Sequence, residues 1–375
     1  MVDYNDLGVK RIINGAGTYT KFSGSLMSHE VLKAMEIASH NFVDINELMK
    51  KSGKYLAKLL NVEAALITSG AATGLVLSTA AYITGGNLKL IHSLPNTEGM
   101  KNEVIIMRCH RNPYDSAMIT AGAKFIEIGN AIEKTQPWEL DAAIGEKTAA
   151  VAFFVQSEML QASLSLAEVL DIAHKHNIPV IVDAAAELPP VNNLQKFIRM
   201  GADVVLFSGG KDIRGPQSSG IMLGKSNIID NCRLISYPHH AIGRPMKLDK
   251  ETIMGLITAI ELYLKEDHQA RMEKWKEQVQ KIVKELSPLP GLKISQGLPT
   301  RPLTQPAIIP RVFIKFDKNI LRITKESVAQ SLYQGDPPIA VIADKKYLIV
   351  NPHMLEKGDE DIIIEEIKKI VKDRI

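Results

Sequence analysis

The sequence predicts an α/β protein, with a mostly parallel sheet in a large domain and a smaller α+β domain at the C-terminus. Three observations predict it. Between residues 63 and 225, strand-like and helix-like segments alternate, as they do when parallel strands are joined by helical crossovers. Several strand-like runs are continuously apolar, as strands covered on both faces must be. Beyond Arg311 the pattern becomes strand, helix, two strands and helix, which makes a separate small layer.

Length and composition set the frame. A chain of 375 residues accommodates two domains. Hydrophobic residues make up 45% and charged residues 23%, which is globular usage and argues against disorder. The formal net charge of +3 is too small to imply nucleic-acid binding without a concentrated basic patch. Two cysteines, Cys109 and Cys232, suit reduced thiols of a cytoplasmic protein rather than a disulfide framework. Residues 1–8 carry neither a basic nor an apolar signal region, so no secretory signal is expected. The stretch Ala64 to Thr84 has the length of a membrane span, but Ser, Thr and Gly interrupt it. It reads as a short buried strand, a turn and a helix of small residues.

The strands predicted in order are Glu63–Thr68, Glu103–Met107, Lys124–Ile128, Ala149–Val155, Pro179–Asp183, Asp203–Phe207 and Gly220–Leu223. The clearest helix runs from Ser165 to Asn177. It opens on a capping-box pattern of Ser165 with Glu168 and closes before Pro179. From Glu251 to Leu286 helical spacing predicts one long helix or two in series, ended by Pro288 and Pro290. A proline-rich connection, Gln296 to Pro310, leads to the last domain. Its elements are the strand Arg311–Phe316, the helix Lys325–Gln334, the strands Ile339–Ile342 and Tyr347–Val350, and the helix Asp359–Asp373. The expected segments are an N-terminal arm (1–45) at the domain junction, a large α/β domain (46–248) and a C-terminal part (249–375) with the long helix and the small domain.

The chemistry is concentrated where apolar runs end. Lys211 follows Asp203–Phe207 within Phe207-Ser-Gly-Gly-Lys-Asp-Ile-Arg-Gly-Pro-Gln217, among glycines that let a ligand approach the backbone. Asp183 ends the run Ile178–Val182, 28 residues earlier. In open α/β sheets, ligands bind at the carboxyl ends of strands. A strand-end lysine and a strand-end aspartate are the pair pyridoxal 5′-phosphate needs. The amine forms a Schiff base and the carboxylate holds the pyridinium nitrogen protonated. Taken singly, each has an ordinary reading, as a loop lysine and a turn-capping aspartate.

Ser69, Gly70, Ala71 and Ala72 lie between a strand and a helix. Small residues there let backbone N–H groups surround a phosphate, although the same residues suit a plain tight turn. Ser208 offers a further hydroxyl. After the strand Glu103–Met107, His110 is placed to stack on a cofactor ring, and Arg108 or Arg111 to bind an anion. Arg244 and Lys247 are further anion-binding candidates. His174 and His176 sit on an ordinary helix, and no metal site is expected.

At these residues the chain resembles the selenium-transferase-like family, named for L-seryl-tRNA(Sec) selenium transferase. The resemblance is strongest to the shorter members of the D-glucosaminate-6-phosphate ammonia-lyase type. It rests on the lysine segment 207–217 and on Val9–Thr20, Phe42–Leu48, Thr68–Ala72, His110–Asp115 and Gly243–Lys247. It implies a fold-type I, aspartate aminotransferase-like enzyme that is a homodimer or larger, with active sites shared between subunits. It also implies Lys211 as the cofactor lysine, Asp183 as the pyridinium partner, the Ser69–Ala72 turn as the phosphate cradle and His110 as the stacking residue. Two features differ from the tRNA-acting enzyme. No tRNA-binding domain precedes the Asn14–Gly17 motif, and His353 stands where that enzyme is expected to have arginine.

The activity expected is therefore that of a lyase on a small hydroxylated amino acid such as D-glucosaminate 6-phosphate. It would lose the β-hydroxyl as water to give an enamine that hydrolyses to a 2-keto acid and ammonia, with Arg111, Arg214, Arg244 and His353 as candidates for holding substrate anions. Action on aminoacyl-tRNA, racemisation, aldol cleavage and cofactor binding without turnover are the alternatives. Neither a membrane nor a nucleic acid is an expected partner.

Overall fold

The computed structural model describes residues 2–155, 161–299 and 306–374. The chain divides into two compact units. One is Leu26–Lys265, and the other joins Met1–Ser25 to Glu266–Ile375.

Numbered along the chain, strand β1 (Ile13–Asn14) belongs to the discontinuous unit. The larger unit holds β2 (Ala64–Thr68), β3 (Glu103–Met107), β4 (Lys124–Ile128), β5 (Thr148–Phe154), β6 (Val180–Asp183), β7 (Val204–Ser208) and β8 (Gly220–Gly224). These form one sheet in the order β2-β8-β7-β6-β5-β3-β4. All neighbours are parallel except β8, which runs antiparallel to both β2 and β7. The apolar runs of the sequence thus mark the strands to within about a residue, because a strand covered on both faces has no polar positions to offer. Every residue of β5 is buried.

Helices α1 (His29–Ser39), α2 (Ile45–Leu60), α3 (Ala71–Thr84), α4 (Leu88–Ser93), α5 (Ser116–Thr120), α6 (Pro137–Ala143), α7 (Leu166–Lys175), α8 (Asn193–Arg199), α9 (Ser226–Ile235) and α10 (Lys250–Lys265) complete this unit. Helix α7 starts as its sequence predicts. Ser165 Oγ accepts from the Glu168 N–H at 3.2 Å, and Glu168 Oε2 accepts from the Ser165 N–H at 2.7 Å. Helix α3 is buried along nearly its whole length. Its small side chains let it lie close against the sheet: a Cβ on Gly74 would come within 2.6 Å of Leu206 Cδ2. No helix among the described residues is long and apolar enough to cross a membrane.

The discontinuous unit contains α11 (His268–Leu286), β9 (Leu292–Gly297), β10 (Arg311–Phe316), α12 (Lys318–Leu321), α13 (Lys325–Gln334), β11 (Ile339–Ala340), β12 (Ile342–Ala343), β13 (Leu348–Val350) and α14 (Asp359–Lys372). An antiparallel sheet runs β12-β13-β10-β9, and β1 pairs in parallel with β11. Its core includes Ile13, Ile282, Val312, Leu348 and Ile363.

Three details depart from the sequence reading. The unit boundaries fall at Ser25 and Lys265 rather than at 45 and 248. Ile13 is buried in the core of the discontinuous unit, whereas α10 buries Leu256, Ile260 and Tyr263 in the core of the larger one. The helical stretch from 251 to 286 is two helices in series, one of the two arrangements the spacing allowed, and Asp267 caps the second by accepting from the Gln269 and Ala270 N–H groups. The run Ile339–Ile342 is split between two sheets, and β9 lies in a stretch with no strand signal. Of the proline-rich connection, residues 300–305 lie outside the described residues.

Gly220 shows how tightly the site end of the sheet is packed. A Cβ there would sit 2.5 Å from the Gly70 carbonyl carbon and 2.8 Å from the Ala71 nitrogen. Both are backbone atoms that cannot swing aside. Gly220→Ala is expected to lower unfolding free energy by about 1–3 kcal/mol, as read from the urea midpoint at unchanged m-value.

Candidate active site

The parallel strands bring their carboxyl ends to one edge of the sheet. Thr68 ends β2 and Ser208 ends β7, and both pair with Gly220, the first residue of β8. One row of the sheet therefore places the Ser69 turn beside Ser208. Asp183 ends β6 and pairs with Leu206 on one side and Phe154 on the other. Lys211 follows three residues after β7 ends.

The segment carrying Lys211 is folded back on itself. The Gly209 N–H donates to the Ser219 carbonyl, the Gly215 N–H to the Gly209 carbonyl at 2.9 Å, and the Arg214 N–H to the Lys211 carbonyl at 3.0 Å. A Cβ on Gly209 would lie 2.1 Å from Ser219 Oγ, and one on Gly210 2.6 Å from Gln217 Cα. The two glycines ahead of the lysine are thus demanded by close approach.

Lys211 is half-buried, and Asp183 and Glu187 are buried. Desolvation of the ammonium holds the Lys211 pKa below the ordinary lysine value, although the carboxylates of Asp183 and Glu187 pull the other way. Burial pushes Asp183 above the usual carboxylate range, opposed by the Ala185 N–H and by Lys211. Asp183 Oδ1 accepts from the Ala185 N–H at 2.9 Å. Among the described residues Oδ2 has no hydrogen-bond partner, so it is able to receive a donor from a ligand.

Helix α3 begins at Gly70 with no side chain capping it. Its first N–H groups and its positive dipole end therefore face outward. Gly70 has φ +134°, and a Cβ on it would meet no atom within 4 Å, so the space before the helix is open. Ser69 Oγ lies 3.0 Å from Thr73 Oγ1 and 3.4 Å from the Met246 carbonyl. The last contact brings the segment of Arg244 against this turn. The Arg244 guanidinium stands 5.1 Å from the centre of the Tyr237 ring.

Other expected site residues are placed differently. His110 is 1% exposed. The Phe154 N–H donates to its Nδ1 at 3.2 Å, so Nε2 carries the proton and faces Ser163 Oγ at 2.9 Å. Its ring meets Phe153 edge-on at 4.7 Å. These contacts make His110 a clamp that ties the turn after β3 to β5. Arg111 is taken up by Asp115 at 2.5 Å and by Glu127, and lies over the Phe125 ring. These partners balance its charge within the chain. His353 belongs to the discontinuous unit, 4% exposed and edge-on to Trp275 at 5.4 Å. A ring so packed does not present itself to a substrate. Arg214 stays close to Lys211 in the chain, with φ +59°.

Glu187 and Asp212 were not anticipated. Glu187 lies four residues beyond Asp183 in the turn after β6, with no periodic pattern to mark it. Asp212 adjoins Lys211 but depends on a residue far along the chain.

These groups fit pyridoxal 5′-phosphate: an amine of lowered pKa, a buried carboxylate with an oxygen to spare, and an open, uncapped helix start. A mixed seven-stranded sheet with that site defines a fold-type I pyridoxal-phosphate enzyme. The family model described as L-seryl-tRNA selenium transferase matches residues 46–276, and the chain belongs to that family. It is 30% identical to D-glucosaminate-6-phosphate ammonia lyase of Salmonella typhimurium, over 98% of both chains. It is 27% identical to a 5′-C-glycyluridine monooxygenase-decarboxylase of Streptomyces, over 99% of this chain and 92% of the relative. The solved structure of a D-glucosaminate-6-phosphate ammonia-lyase superposes with a TM-score of 0.86 at 27% identity, covering all of both chains.

Burial lowers the His110 pKa to about 4. The unfolded state, with an ordinary histidine near 6.5, then binds more protons between those values. This contribution to stability is fully present above pH 6.5 and is lost as pH falls toward 4. His110→Asn keeps an acceptor for the Phe154 N–H but cannot titrate. Urea titrations from pH 7 to pH 4 should show wild type losing about 3 kcal/mol more than the variant. Parallel pH curves would contradict the clamp.

Proposed function

We propose that this enzyme is an ammonia-lyase acting on a hydroxylated amino acid of the D-glucosaminate 6-phosphate type, with Lys211 and Asp183 at its centre. The observation that carries the reading is the pairing of half-buried Lys211 with buried Asp183 beyond neighbouring strands, in a chain 30% identical to such a lyase along nearly its whole length.

When bound, the cofactor supplies an aldehyde for the substrate amine and an electron sink for the α-carbon. The residues do the rest. Lys211 would hold the cofactor through Nζ and would serve as the base that takes the proton from the substrate's α-carbon, a task its lowered pKa suits. Asp183 holds a proton at the pyridine nitrogen through the oxygen that Ala185 leaves free. Ser69, the Gly70–Ala72 backbone and the α3 dipole hold a phosphate, with Ser208 beside them. Arg214 and Arg244 bind the substrate's anionic groups. Loss of the β-hydroxyl as water releases an unsaturated amine, which hydrolyses to a 2-keto acid and ammonia.

The enzyme is further proposed to work as a homo-oligomer in the cytoplasm. Leu26, Leu32, Ile37, Phe42 and Val43 are all exposed, and such an apolar stretch is suited to being covered by a second copy. A second reading, action on aminoacyl-tRNA, has the matching family model in its favour. It requires salt-sensitive, tRNA-specific binding in a filter assay.

The deciding experiment loads the protein with pyridoxal 5′-phosphate and records its visible spectrum before and after D-glucosaminate 6-phosphate is added. A visible band absent in Lys211→Ala, and keto acid formed at the expense of substrate, are the expected results. A wild type without the band would overturn the cofactor roles, and an unaltered band without keto acid would overturn the substrate. Asp183→Asn keeps the side chain's shape but cannot balance a pyridinium charge. It should retain the band while losing at least about a hundredfold in kcat.

A further inference from the structure

Asp212 follows Lys211 directly and is completely buried. Its Oδ2 accepts a hydrogen bond from the Tyr263 hydroxyl at 2.6 Å. Tyr263 is 1% exposed and stands on α10. Other residues on α10 touch the rest of the lysine segment. Leu256 Cδ1 lies 2.5 Å from where a Cβ on Gly209 would sit and 3.0 Å from one on Gly215. Ala259 Cβ is 3.4 Å from that same position on Gly215, and Pro216 Cγ is 3.0 Å from a Cβ built on Gly255. Positions 256, 259 and 263 follow the spacing of one helix face. That face meets both ends of the segment through apolar contact and its middle through the Tyr263–Asp212 hydrogen bond.

Apolar contact fixes distance but not rotation, whereas a hydrogen bond fixes direction. Lys211 precedes Asp212 by one peptide unit, so the orientation of the Asp212 side chain limits that of the Lys211 backbone. We propose that Tyr263 is a positioning residue: by binding Asp212 it locks the backbone of Lys211 to α10 and so aims the lysine amine. The proposal rests on Lys211 being the cofactor lysine. It adds that its placement is set by a hydroxyl on a helix 51 residues away along the chain from Asp212.

Tyr263→Phe removes the hydroxyl and keeps the ring. In the cofactor-loaded protein, hydrogen exchange of the amides from Gly209 to Gly215 should quicken roughly tenfold or more. The pH midpoint of the cofactor's visible band should move by at least about half a unit, since Lys211 would sit differently against Asp183 and Glu187. With substrate, kcat should fall roughly tenfold while KM stays within about twofold. Asp212→Asn supplies the rescue: its amide oxygen accepts the same bond without the charge, and exchange, midpoint and kcat should stay near wild type.

Two results would overturn the proposal. One is a Tyr263→Phe that lowers the melting temperature and leaves exchange, midpoint and kcat untouched, which is mere packing. Alternatively, Asp212→Asn falls as far as Tyr263→Phe, which assigns the effect to the charge. If wild type gives no keto acid at all, the substrate assignment fails on its own, and the exchange and spectral measurements still decide the role of Tyr263.

Discussion

An ammonium and two carboxylates leave water together at the ends of β6 and β7, and the architecture around them follows from that cost. Lys211 is attracted to both Asp183 and Glu187, yet desolvation outweighs attraction for both Lys211 and Asp183. Each is pushed toward its neutral form. A site held in that state is unstable on its own terms and persists because the strands beneath it are rigid. The apolar cores of β5, β6 and β7 supply that rigidity: their residues are buried almost throughout.

The reversal of β8 is what joins the parts of the site. If β2 and β7 were direct neighbours, the Ser69 turn and the lysine segment would still share an edge of the sheet. With β8 between them, its first residue instead faces both Thr68 and Ser208. That residue must be glycine, since the start of α3 lies against it. The anion-facing helix and the lysine loop are thereby registered to one another through a single backbone position, which fixes their spacing more firmly than side-chain contacts would.

The strand plan and the central pair were legible in the sequence because both follow from local patterns. Continuous apolar runs mark buried strands, and polar residues that end such runs mark the sheet's edge. Asp183 and Lys211 meet that description. Residues whose roles depend on distant partners were not legible. His110 has its two nitrogens bonded by the Phe154 N–H and Ser163, 44 and 53 residues away, partners no local pattern announces. Arg111 reads as a free cation, although Asp115 lies only four residues on and Glu127 at the end of the next strand. Nothing in a one-dimensional pattern says that a charge is already taken. The two-residue strands β1 and β11 are too short to carry any periodicity.

The pairing of β1 with β11 has a consequence for how the molecule is made. Ile13 pairs with Ile339, so the strand that leaves the ribosome first meets its partner almost last. At about 5–20 residues per second, Ile13 must wait on the order of half a minute while the whole of the larger unit is synthesised. During that interval the leading segment is an unpartnered apolar strand tethered to a domain already free to fold. The larger unit is contiguous and can complete itself on the way out, whereas the discontinuous unit closes only after residue 339 has emerged. A chain stalled before residue 339 would therefore be expected to carry a folded cofactor-binding unit with a loose N-terminal tail, exposed to chaperones and proteases.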